Sequence, residues 1–238
     1  MIATESIPRL GLSIPLLNEE AVVRDTIHRM VFSLEAQNIS FALALVNNGS
    51  RDKTGALIDS LAEDPRIHTV HLRQNAGYGG GILAGLQCLQ QGSTPDVLGW
   101  CWGDGQVDPL CLVTLLKACE DGAPMAKAVR TRRNDGGFRT LQGQVYAKLL
   151  RQLGQTATDP HGCPKLFRRE SLQLLDLQHT DWFIDAEAML KACKRDWTIA
   201  EVPVTFHARS GGTSKVELST VLEFCANLWK WRRKGDKG

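Results

Sequence analysis

Apolar residues along the chain fall into short buried runs that alternate with stretches carrying one apolar face. Arg9 to Leu16 reads as a strand, after which Val23, Ile27, Met30 and Leu34 recur at helical spacing. Asn18 stands where it would cap that helix, with Glu19 and Glu20 in a first turn that favours negative charge. Phe41 to Val46 predicts a second strand, ended by Asn47-Asn48-Gly49-Ser50, and Asp52 can cap a helix whose Leu57, Ile58 and Leu61 face inward. Ile67 to Leu72 is a third strand, and the turn from Gln74 to Gly81 opens a helix running to about Gln91. Asp96 to Cys101 is a fourth strand, with Asp108 and Pro109 positioned to start the next helix. Strands and helices alternating at these lengths predict an α/β fold, a doubly wound, mostly parallel sheet with helices on both faces.

Beyond the fourth unit the alternation changes. Met125 to Val129 predicts a strand, followed by Arg130, Arg132 and Arg133, and Phe138 to Leu153 has helical periodicity. Thr158 to Lys165 is a polar turn leading into Leu166-Phe167, and Phe183-Ile184-Asp185-Ala186-Glu187 starts a helix through about Lys194. Trp197 to Phe206 predicts a strand in which Pro203 argues for an edge or a bend. A basic, glycine-bearing loop spans Arg209 to Lys215, and a closing helix runs from about Glu217 to Arg232. The expected organisation is one domain over residues 1–216, then an amphipathic helix and basic tail over 217–238.

Composition narrows the function class. The 238 residues are 43% hydrophobic, enough for one sizeable core, and the net charge of +2 gives no global basic field for nucleic acid. Seven cysteines, an odd number without a CxxC pair, read as scattered core thiols of a reducing compartment rather than a disulfide frame or zinc site. The N-terminus lacks the apolar core of a signal peptide, and no window reaches the roughly 18 apolar residues of a membrane span. A cytoplasmic protein, at most peripheral to a membrane, is expected.

Candidate chemistry gathers at the strand ends. The stretch from Trp100 to Pro109 reads W-C-W-G-D-G-Q-V-D-P, with Asp104 between two glycines at the end of the fourth strand. In open α/β sheets ligands bind at the carboxyl ends of strands, and flanking glycines let backbone approach a ligand or metal closely. Gly79, Gly81 and Ala84 match the spacing G-x-G-x-x-A, but they follow the third strand rather than the first, which argues against a dinucleotide fold. Polar ends recur instead at Asn18, Asn47-Asn48, Asn75 and Asp104, a pattern suited to a nucleotide spread across several strands.

Eight segments in order carry a resemblance: I-P-L-L-N-E-E (Ile14 to Glu20), N-N-G-S-R-D-K-T (Asn47 to Thr54), N-A-G-Y-G-G-G-I (Asn75 to Ile82), G-D-G-Q-V-D-P (Gly103 to Pro109), T-D-P-H-G-C-P-K-L-F (Thr158 to Phe167), F-I-D-A-E (Phe183 to Glu187), E-V-P-V (Glu201 to Val204) and R-S-G-G-T-S-K (Arg209 to Lys215). Together the chain resembles the inverting family 2 glycosyltransferases of GT-A fold, and is most similar to the polyprenyl-phosphate, dolichol-phosphate-mannose synthase-like sugar transferases. The resemblance implies transfer from a UDP- or GDP-linked sugar to an acceptor such as polyprenyl phosphate. It implies that Pro15, Asn18 and Glu19 line the nucleotide pocket, with Asn47, Asn48, Asn75 and Gly79 beside the base, ribose or nucleotide edge. Asp104 and Gln106 would sit by the donor diphosphate and its Mg2+ or Mn2+, with Asp104 as metal ligand. Asp159, Asp185 and Glu187 would flank the acceptor, and Arg209 and Lys215 would hold phosphates.

The chain also departs from the family. Asn47-Asn48 stands where two acids are usual, and Trp102 where an acid precedes Asp104 by two residues. Magnesium favours carboxylate and phosphate oxygens, so either the metal binds mainly through the diphosphate, or cations such as Arg130, Arg132, Lys165, Arg209 or Lys215 neutralise the leaving group directly. A hydroxyl acceptor would need a base, Asp185 or Glu187, although residues two apart cannot share one helix face. An anionic phosphate acceptor would need none. The missing acids leave a second reading, a nucleotide-sugar binder without turnover. A nucleotidyltransferase would want a basic, glycine-rich first turn, which Pro15-Leu16-Leu17-Asn18-Glu19 is not. His161 shows no metal-ligand spacing and is placed to line the acceptor site. The closing helix carries Leu218, Val221, Leu222, Cys225, Leu228 and Trp229 on one face before a basic end, which suits either a membrane interface or packing on the domain.

Overall fold

The computed structural model describes residues 9–91, 94–131, 158–207, 227–228 and 231–232. The expected helix Phe138 to Leu153, the loop Arg209 to Lys215, Arg132, Arg133 and most of the closing helix lie outside the described residues. The strands are β1 (Leu10–Leu16), β2 (Phe41–Asn48), β3 (Ile67–Leu72), β4 (Val97–Trp100), β5 (Met125–Arg130), β6 (Lys165–Arg168) and β7 (Ile199–Val204). The helices are α1 (Val23–Ala36), α2 (Thr54–Leu61), α3 (Gly77–Leu89), α4 (Cys111–Glu120), α5 (Arg169–Leu175) and α6 (Ile184–Lys194).

One sheet of seven strands runs in the order β3-β2-β1-β4-β6-β5-β7. The apolar runs of β1 and β2 are buried almost throughout, as central strands covered on both faces must be. One core packs α1, α2 and α4 on one face of the sheet; a second packs α3, α5 and α6 on the other. Val23, Ile27, Met30 and Leu34 form the buried stripe of α1, as their spacing predicts. Pro203 lies on β7 at the sheet edge, where its missing N–H removes no ladder bond from a central strand.

Two expectations are corrected, and one strand enters that the alternation does not predict. Asn18 does not cap α1, which begins at Val23 with no side-chain cap. Its backbone is left-handed (φ 53°), and its Oδ1 accepts the Arg51 N–H at 2.8 Å, joining the ends of β1 and β2. The helix after Pro109 begins two residues later, at Cys111, although Asp108 Oδ1 still accepts the Leu110 N–H at 3.0 Å. Between β4 and β5 the chain inserts β6, antiparallel to both. Four residues bounded by a polar turn carry no periodicity that encodes direction, and α5 is likewise too short to show a helical stripe.

At the far end of the chain Leu228 is buried and, with Trp231, packs on Phe183, Ala186 and Leu190, so at these positions the closing segment faces the domain. Among the described residues no helix is long and apolar enough to cross a membrane.

Gly99 admits β6: a Cβ there would stand 2.0 Å from the Lys165 carbonyl oxygen and 3.0 Å from Leu166 Cα. Gly99→Ala is expected to cost about 1–3 kcal/mol, the range of an overpacked core, as a lower urea midpoint at unchanged slope. An unchanged midpoint would refute the close approach.

Candidate functional site

The carboxyl ends of β1 to β5 and the start of the antiparallel β6 meet at one edge of the sheet, and the polar strand ends gather there. On the β1–β3 side their side chains tie loops together. Asn48 is buried; its Oδ1 accepts the Ala76 N–H and its Nδ2 donates to the Gly77 carbonyl, both at 2.9 Å. Asn47 Oδ1 accepts the Ser50 N–H, and Asn75 Oδ1 accepts the Gly77 N–H. Glu19 is buried, with its N–H on Thr54 Oγ1. Pro15 packs beneath α3, where a Cβ at Gly81 would stand 2.9 Å from it.

The glycine run serves packing. Gly77 has φ +83°, and a Cβ there or at Gly79 would come within 2.3 Å of the Thr180 or His179 carbonyl oxygen. The Gly80 N–H donates to the same Thr180 oxygen at 2.8 Å. The start of α3 is therefore covered by the segment before α6, and no dinucleotide pyrophosphate can lie against it. Glu187 holds that segment: its carboxylate accepts the N–H groups of Gln178 and His179 and pairs with Lys191 at 2.7 Å.

The turn after β4 is fixed on both sides. A Cβ at Gly103 would meet Leu16 Cδ2 at 2.2 Å, and Gly105, at φ +74°, has its carbonyl bound by Arg29 Nη2. Between them Asp104 is buried, its Oδ1 accepting the Gln106 N–H at 3.2 Å. Gln106 Nε2 donates to the His207 carbonyl and its own carbonyl accepts the His207 N–H, so the turn is tied to the chain leaving β7. Trp102, in the place of the expected acid, donates from Nε1 to Tyr78 Oη at 2.8 Å. Tyr78 stacks on Trp182 (4.4 Å, 17°) and Trp102 meets Phe206 edge-on (5.6 Å), so an aromatic row crosses the end of β4. Burial and the charge of Asp185 push the Tyr78 phenol well up, so it accepts the Trp102 N–H as a neutral hydroxyl.

On the β5–β6 side the charges are paired. Asp185 is 1% exposed; Oδ1 accepts from Lys165 Nζ at 2.6 Å and Trp100 Nε1 at 3.2 Å, and Oδ2 lies 4.0 Å from His161 Nδ1. Burial alone would raise the Asp185 carboxyl, but Lys165 and His161 outweigh it and hold it below its ordinary value. Arg130 binds Asp159 through its backbone N–H, Nε and Nη2, the shortest contact 2.6 Å. Lys165 and Arg130, weighed above as direct counter-charges for a leaving group, are thus engaged by Asp185 and Asp159. The structure brings Asp185 and Asp159 into this network and directs Glu187 away from it, as their spacing on one helix requires. Arg209 and Lys215 lie outside the described residues.

Asp104 and Gln106 are the side chains of this turn with oxygen ligands for a cation, and the Asn47 and Asn48 amide oxygens are occupied by backbone N–H groups. No cluster of three His, Cys, Asp or Glu suited to a metal occurs among the described residues. The donor set fits a hard divalent ion that brings most of its ligands from a diphosphate. Lys127, Tyr78 and Trp182 escaped the sequence reading. The one signal was Lys127 itself, a lysine inside the apolar run Met125-Ala126-Lys127-Ala128-Val129.

A family model described as glycosyl transferase family 2 matches residues 12–175. Polyprenol monophosphomannose synthase of Mycolicibacterium smegmatis is 32% identical over 207 residues, covering 81% of this chain and 77% of that protein. Undecaprenyl-phosphate mannosyltransferase of Micrococcus luteus is 27% identical over 233 residues, covering 92% and 91%. Among solved structures, glucosyl-3-phosphoglycerate synthase from Mycobacterium tuberculosis, in complex with Mn2+, uridine diphosphate and phosphoglyceric acid, superposes with a TM-score of 0.70 at 19% identity. The match covers 94% of this chain and 78% of that one, and it establishes a shared fold.

Removing one member of the buried pair strands the other. Lys165→Met or Asp185→Asn alone is expected to cost about 3–5 kcal/mol, and Lys165→Met combined with Asp185→Asn far less than their sum. Because the Asp185 carboxyl is depressed in the folded state, its contribution is present above the unfolded value near 3.8 and is lost as pH falls through the lower folded value. Denaturant titrations from pH 2 to 6 should show the wild type losing this increment on acidification and the double variant lacking it; strictly additive single losses would overturn the pairing.

Proposed function

We propose that this chain, which belongs to glycosyl transferase family 2, moves a sugar from a UDP- or GDP-linked donor to a polyprenyl phosphate, with inversion at the anomeric carbon. The observation that carries the acceptor class is the state of the two candidate bases. Asp185 is held ionised by Lys165 and His161, below its ordinary basicity, and Glu187 is taken up by two backbone N–H groups and Lys191. Asp185 is thus poorly suited to take a proton from a hydroxyl, a role favoured by a carboxyl raised toward neutral pH, and the oxygens of Glu187 are engaged in holding the segment before α6. A phosphate monoester is already an anionic nucleophile and asks for no base. The names of the M. smegmatis and M. luteus relatives support the same acceptor.

In the proposed reaction a phosphate oxygen of the acceptor attacks the anomeric carbon as its bond to the nucleoside diphosphate breaks, and the bond electrons leave with the diphosphate. Pro15, Asn18, Glu19, Asn47, Asn48 and Asn75 shape the nucleotide side, and Gly79 sets the turn beside it. Asp104 and Gln106 face the diphosphate, and Arg209 and Lys215 hold phosphates. Mg2+ or Mn2+, bound with the donor, would supply positive charge to the departing diphosphate, with Asp104 and Gln106 as its protein ligands. The complexes of the M. tuberculosis synthase with Mn2+ or Mg2+ and uridine diphosphate support that assignment. A polyprenyl acceptor places the working enzyme at a membrane surface.

A thermal-shift screen of UDP- and GDP-sugars with and without Mn2+ identifies the donor, since a ligand bound only to the native state raises the melting temperature. Transfer to a polyprenyl phosphate is expected with the stabilising donor, to fall sharply in EDTA, and to drop about 10²–10³-fold in Asp104→Asn, the usual scale for losing one electrostatic contact to developing charge. Saturable donor binding with no turnover on any acceptor would overturn the transfer reading; full turnover in chelator would overturn only its metal.

A further inference from the structure

Lys127 lies on β5 with no exposed surface, although nothing in the reaction above uses it. Its Nζ donates to the carbonyl oxygens of Thr158 and Asp159, the latter at 3.0 Å, and pairs with Glu201 of β7 at 3.3 Å. Glu201 in turn accepts the N–H and the hydroxyl of Thr158, closing a triangle. Across the β5–β6 ladder Lys127 stands opposite Lys165, whose ammonium holds the Gly162 carbonyl and Asp185. Two buried ammonium groups therefore grip one turn by its backbone carbonyls, one at each end. Between them Asp159 takes a left-handed backbone (φ 40°), unusual outside glycine, and presents its carboxylate to Arg130.

An ammonium is costly to bury, and an aliphatic side chain would fill the space on β5 without that cost. What an aliphatic side chain cannot do is hold two carbonyl oxygens and a carboxylate together. We propose that Lys127 is a positioning residue: its buried ammonium fixes the Thr158–Asp159 backbone and so sets where Asp159, which the family resemblance puts beside the acceptor, stands with its partner Arg130. The hold on the turn is independent of the reaction; its bearing on the acceptor rests on the transfer reading above.

The groups facing Lys127 make the hold pH-dependent. Burial and the neighbouring Lys165 charge push its ammonium down to about 8, against the pull of Glu201 and Asp159. Arg130 and Asp185 stand one partner further out, on Asp159 and Lys165. Above that pH the amine keeps two donors in place of three and no longer balances Glu201. The grip is therefore present below about pH 8 and weakens above it.

The test measures the acceptor KM between pH 7 and 9.5 with farnesyl phosphate in detergent micelles and the donor found by thermal shift, for wild type, Lys127→Arg and Lys127→Gln. Wild type is expected to show acceptor KM rising severalfold above pH 8 with little change in donor KM. Lys127→Arg, charged throughout this range, should abolish the rise, and Lys127→Gln should show a raised, pH-independent acceptor KM. Amide hydrogen exchange of residues 158–164, compared between proteins at each pH so that intrinsic exchange cancels, reads the turn directly and without turnover. Faster exchange in Lys127→Gln at every pH, and in wild type relative to Lys127→Arg only above pH 8, supports the proposal. The same rise in Lys127→Arg as in wild type, or wild-type KM and exchange in Lys127→Gln, would overturn it. Absence of transfer in wild type would count against the transfer reading alone, with exchange still deciding whether Lys127 holds the turn.

Discussion

The ion pair between Lys165 and Asp185 joins the antiparallel strand to the helix behind the sheet, in a place from which water is excluded. Charges removed from water are tolerable only when their geometry is close and their remaining valences are filled. That requirement organises the surroundings: the Gly162 carbonyl takes a second proton of Lys165, and the Trp100 indole donates to Asp185. Moving either partner would strand the other, so the order of strands, the start of α6 and the turn before β6 are set together.

The same economy of polar groups extends along the carboxyl edge of the sheet. Asn48 clamps the start of α3, Glu187 clamps the segment that covers α3, and Arg130 and Asp159 lock the turn beside β5. Residue types that would serve a ligand in isolation are here largely spent on holding loops. Asp104 is likewise tied locally, its Oδ1 accepting the Gln106 N–H within a turn packed at Gly103 and held at the Gly105 carbonyl. Trp102 beside it, where the family resemblance leads one to expect an acid, joins an aromatic row with Tyr78 and Phe206 instead.

Much of this was legible from residues alone. Runs such as Phe41 to Val46 and the stripe Val23, Ile27, Met30 and Leu34 are dictated by burial periodicity, which local composition encodes. The Asp104 turn was recognisable because glycines flanking an acid at a strand end have few other uses. The antiparallel course of β6 was not, since four residues with a Leu-Phe pair between two basic ends read the same in either direction. Nor was the reason for the glycine run, because the atoms that exclude a Cβ at Gly77 and Gly79 belong to Thr180 and His179, about a hundred residues away in the chain.

The amino-acid sequence by itself determined the α/β alternation, the polar residues that end its strands, and the family motifs in their order, because periodicity, turn chemistry and residue type act locally. Only the tertiary structure decided which charges meet. The pairing of Lys165 with Asp185, of Arg130 with Asp159, and the grip of Lys127 on Thr158 and Asp159 all depend on strand register and on chain direction. Such contacts join residues that are far apart in the chain, and no local pattern specifies them.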